Sequence, residues 1–250
     1  MKKEGFGAEE IKAYLNSGIN VVYYPVTDST NTQAKRLVSE CEEDALLVVA
    51  DAQTEGRGRL GRSFYSPEST GIYMSLAIKC KKPLGDYLKV TAAAAVAVCR
   101  AIEELTNLEP FIKWVNDIYV GGKKVCGILC ESVTDGRSSA VIIGIGINVN
   151  TVRFPEDLKN AGSLKVELDR AKLAAKIAAL TLELTDKDGG EYLDYYRSRS
   201  FVTGKKITVI KNGSERSAEA VGIDGSFGLT VRYDGEKEET LNSGEISIRI

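Results

Sequence analysis

Gly56-Arg57-Gly58-Arg59-Leu60-Gly61-Arg62 interleaves three glycines with three arginines. Glycine removes the Cβ and lets backbone N–H groups approach a ligand closely. Arginine adds a permanent charge and a planar donor fork that fits phosphate and carboxylate oxygens. The stretch reads as a flexible loop that wraps a polyanion. Further along comes Lys113-Trp114-Val115-Asn116-Asp117-Ile118, a lysine at the end of an apolar stretch. Strand-like segments surround both motifs, so the loop is expected to be carried by a sheet.

Outward from these motifs, short apolar runs rich in β-branched residues predict strands over 21–26, 45–50, 72–78, 111–114, 118–120, 124–133 and 140–149. Gly121-Gly122 reads as a hairpin turn. Helices are expected over 8–17, ending at Gly18, over 31–39 with Ser29 or Thr30 as cap, and over 87–105. Another spans 167–198, broken at Asp188-Gly189-Gly190. After about Phe201 the texture changes to short strands at close spacing, over 207–210, 218–221, 229–233, 239–241 and 246–250. Asn212-Gly213, Asp224-Gly225 and Asp234-Gly235 mark tight turns between them. The expectation is an α+β domain over residues 1–200 followed by a small antiparallel β-barrel over residues 201–250.

A chain of 250 residues can bury a full core,. Its net charge of −2 gives no broad pull toward nucleic acid or acidic membranes, so anion binding must come from local clusters,. The amino terminus shows no apolar signal region, and no apolar run reaches the length of a membrane span. The five cysteines, Cys41, Cys80, Cys99, Cys126 and Cys130, form an odd set, which suggests reduced thiols in the cytoplasm,. Cys126 and Cys130 lack a matching second pair, so no zinc site is expected and both read as small buried hydrophobes. Histidine is absent, which excludes Ser-His-Asp, Cys-His and His-metal mechanisms in this chain,.

The chain resembles the biotin protein ligase family. Asp28-Ser29-Thr30-Asn31, Gln53 with the Gly56–Arg62 loop, Lys113–Ile118, Gly127-Ile128-Leu129 with Glu131, Gly144-Ile145-Gly146-Ile147-Asn148 and Gly244–Arg249 match its motifs in order. The resemblance implies the biotin–lipoate ligase fold, like class II aminoacyl-tRNA synthetases, with an SH3-like carboxyl-terminal barrel. It implies two steps. Biotin and MgATP give biotinyl-adenylate and pyrophosphate; a lysine of a biotin carboxyl carrier protein then takes the biotin and releases AMP.

The residues can be set against that chemistry. Adenylation joins two anions that repel, so a catalyst must neutralise both and hold them in line. The resemblance places Arg57, Gly58 and Arg59 around the biotin carboxylate and the phosphate, with Arg62 beside them. Lys113 is expected as a point charge on the carboxylate and bridging phosphate; otherwise it is a snorkelling surface lysine. Asp117 is either a turn residue or the group that orients or deprotonates the incoming amine. Ser29, Thr30 and Asn31 can cap the helix and also suit the ureido ring of biotin, with Gln53 adding a polar contact. Ile128 and Leu129 would supply an apolar floor beside Gly127. Asn116 and Asn148 are expected near the nucleotide, and residues 149–162 as a loop that could fold over it. Glu245 and Arg249 are either ordinary strand residues or contacts to ATP or acceptor.

Val115 stands where the family has proline, and Phe64 where an aromatic is often tryptophan. The repressor members' winged helix-turn-helix has no counterpart before the first strand, so no DNA binding and no membrane association are expected. Related ligases often pair through their sheets, which leaves a homodimer open. No metal ligands are readable. A lipoate ligase, sharing the adenylation logic, and a nucleic-acid-binding module built on the arginine loop and barrel are the alternatives.

Overall fold

A computed structural model describes residues 5–15, 18–80, 87–134, 139–211, 213–235, 237–242 and 247–249. The chain forms a seven-stranded sheet and a five-stranded sheet. The first comprises β1 (Ile19–Thr27), β2 (Ala45–Gln53), β3 (Gly71–Lys79), β4 (Phe111–Lys113), β5 (Asp117–Val120), β6 (Lys123–Thr134) and β7 (Ser139–Asn148), in the order β1-β2-β3-β7-β6-β5-β4. β1 and β2 run parallel, linked by helix α2 (Thr30–Leu37), and every other pair is antiparallel. The sheet is therefore mixed, and the α+β expectation holds. Gly121 and Gly122 turn β5 into β6 with φ of 56° and 75°, the two left-handed positions of a tight hairpin,.

Period-two alternation divides the sheet. Leu47, Val49, Met74, Leu76, Ile143, Ile145 and Ile147 pack with helices α3 (Tyr87–Leu105) and α4 (Arg170–Asp186) in one large core. Leu46, Val48, Ala77, Ala140 and Ile142 face the other way, against Ala34 and Val38 of α2. α2 has only eight residues and covers one end of that face. The rest of the face forms the floor of a cleft.

The first helix, α1 (Ala8–Lys12), is shorter than the expected 8–17; two of those residues, 16 and 17, lie outside the described ones. α4 starts three residues later than expected because the Asp169 carboxylate caps it, accepting from the Lys172 N–H at 3.0 Å. α5 (Gly190–Ser198) follows the break at Gly189. Among the described residues no helix is long and apolar enough to cross a membrane. Cys99 and Cys126 are buried and burial pushes both thiols up; Cys130, expected fully buried, is half-buried, with its thiol pushed to about 11 by the same cause.

The second sheet comprises β8 (Lys206–Lys211), β9 (Ser214–Ile223), β10 (Leu229–Arg232), β11 (Glu238–Leu241) and β12 (Ser247–Arg249), all antiparallel in the order β11-β10-β9-β8-β12. The expected small antiparallel β-domain is present, and among the described residues no pairing joins its edge strands β11 and β12. The turn expected at Asp224-Gly225 runs on to Gly228. The Asp224 carboxylate accepts from the Ser226 and Gly228 N–H groups, and the left-handed residue is Phe227, with φ 64°. That loop drives Phe227 into the core. Its ring stacks on Tyr192 at 5.3 Å between centroids and meets Tyr196 edge-on at 5.4 Å. Its carbonyl accepts from the Trp114 indole N–H at 2.9 Å.

Phe227→Ala removes that ring and leaves a cavity beside two tyrosines. It is expected to cost about 3–5 kcal/mol, the usual range for a buried phenylalanine. Chemical denaturation of the variant measures this; a loss below about 1 kcal/mol would show that the loop does not anchor the second sheet.

Candidate active site

The sheet pairing builds the site. Lys113 lies opposite Asp117, Asp117 opposite Gly127, Gly127 opposite Gly146, and Gly146 opposite Tyr73. Directly opposed residues share a face. These residues therefore form one row on the cleft side. The next row is Leu129–Gly144–Ser75, and the one after it carries Glu131. Ile128 falls between rows and points its side chain into the helix-side core. It contributes backbone instead: its N–H donates to the Asn116 carbonyl at 2.8 Å and its carbonyl accepts from Asn116 Nδ2 at 2.9 Å.

The start of α2 closes one end. Ser29 occupies the cap position, but its hydroxyl makes no cap bond. Asp28 instead accepts from the Ser29 N–H at 2.6 Å and from Gln33 Nε2 at 2.9 Å. Gln53 Oε1 accepts from the Thr30 N–H and hydroxyl at 2.8 and 3.1 Å, while its Nε2 donates to Ser66 Oγ. Asn31 is fully engaged: Nδ2 donates to Glu131 at 2.8 Å, and Oδ1 accepts from Ser75 Oγ at 2.6 Å. A Cβ on Gly144 would overlap the Asn31 amide, and one on Gly146 would press into the Phe64 ring at 2.5 Å. These strand glycines thus receive Asn31 and Phe64, while both still line the cavity.

The arginine loop is a closed hairpin. Gly58 N–H donates to the Arg62 carbonyl and Phe64 N–H to the Gly56 carbonyl, both at 2.7 Å. Leu60 and Gly61 turn its tip with φ of 57° and 71°. The arginines diverge. Arg59 reaches inward and donates to Asn116 Oδ1 at 2.9 Å; burial lowers its pKa, with Asp117 opposing. Arg57 turns to Glu131, its nitrogens 3.3 and 3.5 Å from the carboxylate oxygens. Arg62 lines the cleft wall.

Under the loop lies a cavity of about 440 Å³, walled by Ser29, Gln53, Arg59, Arg62, Phe64, Lys113, Asp117, Lys124, Leu129 and Asp157 among others. Lys113 and Lys124 flank Asp117, and Lys124 Nζ lies 2.6 Å from Asp117 Oδ1. Burial depresses the Lys113 pKa; Asp117 opposes this, and Lys124 and Arg62 reinforce it. Glu131 shows the reverse. Burial alone would raise its carboxyl, but hydrogen bonds from Lys35 and Asn31 and the charges of Lys35 and Arg57 hold it below the ordinary glutamate value. The cavity thus gathers five cationic side chains, Arg57, Arg59, Arg62, Lys113 and Lys124, against Asp117 and Asp157, with Arg57 turned to Glu131. Such a site suits a ligand with two anionic groups and an apolar part.

Comparison with known proteins agrees with this geometry. The Biotin/lipoate A/B protein ligase family matches residues 23–148, half of the chain. The chain belongs to that family. It is 44% identical over 167 residues to the bifunctional ligase/repressor BirA of Bacillus subtilis, covering 64% of this chain and 51% of that one. It is 30% identical over 252 residues to the BirA of Salmonella typhimurium, covering 97% of this chain and 78% of that one. The chain thus spans about half the length of the first curated relatives it matches. The biotin protein ligase of Aquifex aeolicus, solved in complex with biotin and ATP, superposes with a TM-score of 0.78 at 29% identity, covering 92% of this chain and 98% of that one.

Within this family fold, the structure brings together Ser29, Thr30, Asn31, Gln53, Arg57, Gly58, Arg59, Arg62, Phe64, Lys113, Asn116, Asp117, Gly127, Ile128 and Leu129 around one cavity. Asn148 is not in its wall. Its Nδ2 donates to the Gly162 carbonyl at 3.0 Å, and its buried Oδ1 has no partner among the described residues. Arg249 lies on β12 and pairs with Glu215 at 3.1 Å, although its neighbour Ile248 reaches the cavity. Glu245 lies outside the described residues. Residues 149–162 stitch onto Lys124: its N–H donates to the Asn160 carbonyl and its carbonyl accepts from the Gly162 N–H, both at 2.8 Å. Asp157 and Leu158 thereby reach the cavity. The Trp114–Val115 peptide, where the family's proline is missing, is cis.

Sequence reasoning missed Lys124, which follows the Gly-Gly turn and reads there as the first residue of an ordinary strand. Its signal is the pairing that sets Asp117 against Gly127, three residues past Lys124. Side-chain NMR titration of Lys113 should give a midpoint below the ordinary lysine value of about 10.4. The midpoint should rise when a carboxylate or phosphate ligand is added, because a neighbouring anion favours the protonated form. An ordinary midpoint in the free protein would show that the ammonium stands in bulk water.

Proposed function

We propose that this chain is a biotin protein ligase that forms biotinyl-adenylate from biotin and ATP, releases pyrophosphate, and passes the biotin to a lysine of a biotin carboxyl carrier protein. The observation that carries this reading is the row Lys113–Asp117–Gly127–Gly146 beneath the Arg57–Arg62 hairpin. Support also comes from the likeness to the Aquifex aeolicus enzyme that holds biotin and ATP.

In this reading the apolar wall of Leu129 and Phe64 takes the ring and valeryl chain of biotin. Ser29, whose hydroxyl makes no cap bond, offers a polar contact to the ureido group. Arg59, Lys113 and Lys124 face the biotin carboxylate and the α-phosphate. Their charges offset the repulsion of the two anions as the carboxylate oxygen attacks phosphorus and pyrophosphate leaves. Arg59 and Lys124 are fixed before reaction by Asn116 and Asp117, so little reorganisation of these two is needed. In the second step an acceptor amine attacks the anhydride carbonyl. Asp117 Oδ1, held beside Lys124 Nζ, is placed to orient that amine or take its proton. AMP leaves with the electron pair of the broken C–O bond.

Magnesium enters this scheme with ATP. Among the described residues no three His, Cys, Asp or Glu side chains converge. Asp117 and Asp157 on the cavity wall would join the phosphates in holding Mg²⁺, an ion usually bound by one or two carboxylates plus substrate phosphates, and no step is routed through it,.

Isotope exchange between pyrophosphate and ATP tests the reading. Exchange is expected with biotin and not with lipoate; exchange with lipoate alone would transfer the chain to the other branch of its family. Lys113→Ala and Lys124→Ala should each slow exchange by about 10²–10³, the usual cost of one transition-state charge contact. Arg59→Ala should leak biotinyl-adenylate more than Arg57→Ala, since Arg59 reaches into the cavity and Arg57 is neutralised by Glu131. Equal leakage from the two variants would contradict the division of roles between the arginines.

A further inference from the structure

We propose that Glu131 is a positioning residue: its carboxylate pins the arginine loop to helix α2 and thereby fixes which end of the cavity receives the substrate's anionic group. The orientation half of this inference rests on the ligase reading above; the pinning half does not.

Glu131 joins three elements: strand β6, helix α2 and the arginine loop. It projects from β6 on the cleft face, two residues beyond Leu129. From α2, Asn31 and Lys35 stand one helical turn apart and reach the same carboxylate. Lys35 Nζ lies 2.7 Å from Oε1 and Asn31 Nδ2 lies 2.8 Å from Oε2. From the arginine loop, Arg57 closes on the other side at 3.3 Å. The side chain is only 18% exposed, so these charge-assisted contacts are weakly screened,.

Two consequences follow for the cavity. The first concerns Asn31. With Nδ2 given to Glu131 and Oδ1 held by Ser75, its amide is spent on the protein. Asn31 therefore orients the start of α2 and leaves ligand contact to its neighbours. The second concerns charge. Behind the α2 end, Glu131 takes up the charge of Arg57, a cation of the cavity wall, and of Lys35. The opposite end holds Arg59, Arg62, Lys113 and Lys124 against two carboxylates. A substrate with one anionic group and one uncharged polar ring then has a preferred direction. The ring lies toward α2, and the carboxylate lies toward the lysines. Arg57 and Arg59, two residues apart in the chain, do different work: one anchors and the other faces the anion.

The test uses Glu131→Gln, which keeps shape and a hydrogen-bond acceptor and removes the charge. In ligand-free protein, trypsin nicking at Arg57, Arg59 and Arg62 should speed up roughly threefold or more, because cleavage tracks the population of the opened loop. In pyrophosphate exchange, KM for biotin should rise about tenfold with a much smaller change in kcat and in KM for ATP. Arg57→Met should raise KM similarly, and combining the two should add little, since both break one contact. Glu131→Asp should restore part of the loss. Unchanged nicking overturns the pinning. Faster nicking with an unmoved KM overturns the orientation. A fall in kcat equal to the rise in KM, with lowered Tm and no rescue by aspartate, overturns both in favour of a general packing role. If the wild-type protein shows no biotin-dependent exchange, the ligase reading fails, and nicking still decides whether Glu131 anchors the loop.

Discussion

The pairing register of β5, β6 and β7 is the constraint on which the site depends. Side chains alternate faces along a strand, so a slip of one residue would carry a whole strand's cleft residues into the helix-side core. Lys113 and Asp117 would then sit among Ile143, Ile145 and α3, where an unpaired charge is costly,. The hydrophobic partners prevent this. Cys126, Ile128, Ile145 and Ile147 occupy the core-facing positions between the cleft residues. The same alternation that buries the core therefore aims the charged row at the cavity.

Electrostatics in this chain is local. A net charge of −2 hides a cluster in which cations outnumber carboxylates. Crowding cations costs free energy, which is visible where burial lowers the pKa of both Lys113 and Arg59. Two carboxylates offset part of that cost and give the cluster its shape. Asp117 holds Lys124, and Glu131 holds Arg57 and Lys35. Each cation is thus held by a counter-charge or an amide before any ligand arrives, apart from Lys113 and Arg62, for which no ion pair forms among the described residues.

Local signals in the sequence carried much of this. Gly121-Gly122 read as a tight turn, and the apolar runs of β2, β3 and β7 marked buried strands. The interleaved loop and the Lys113–Asp117 segment marked the site because glycine and arginine have few other reasons to alternate. What was not legible depended on distant partners. Lys124 became a site residue through its pairing geometry, not through its neighbours in the chain. The Asn31 amide looked available until Glu131, a hundred residues later, claimed it. Gly144 and Gly146 signal close approach in the sequence, but only the fold shows that Asn31 and Phe64 are what approaches. The Asp224-Gly225 pair marked a tight turn, but nothing local reveals that Phe227 is pulled into a pocket of tyrosines.

Trp114 has a consequence of another kind. It is the single tryptophan of the chain, and it is buried beside Lys113 with its indole bound to the Phe227 carbonyl of the second sheet. Its fluorescence therefore arises from one place, the seam between the strand that bears Lys113 and the carboxyl-terminal sheet. The molecule carries its own optical probe at that seam, with no label needed once excitation is set beyond the absorption of its eleven tyrosines.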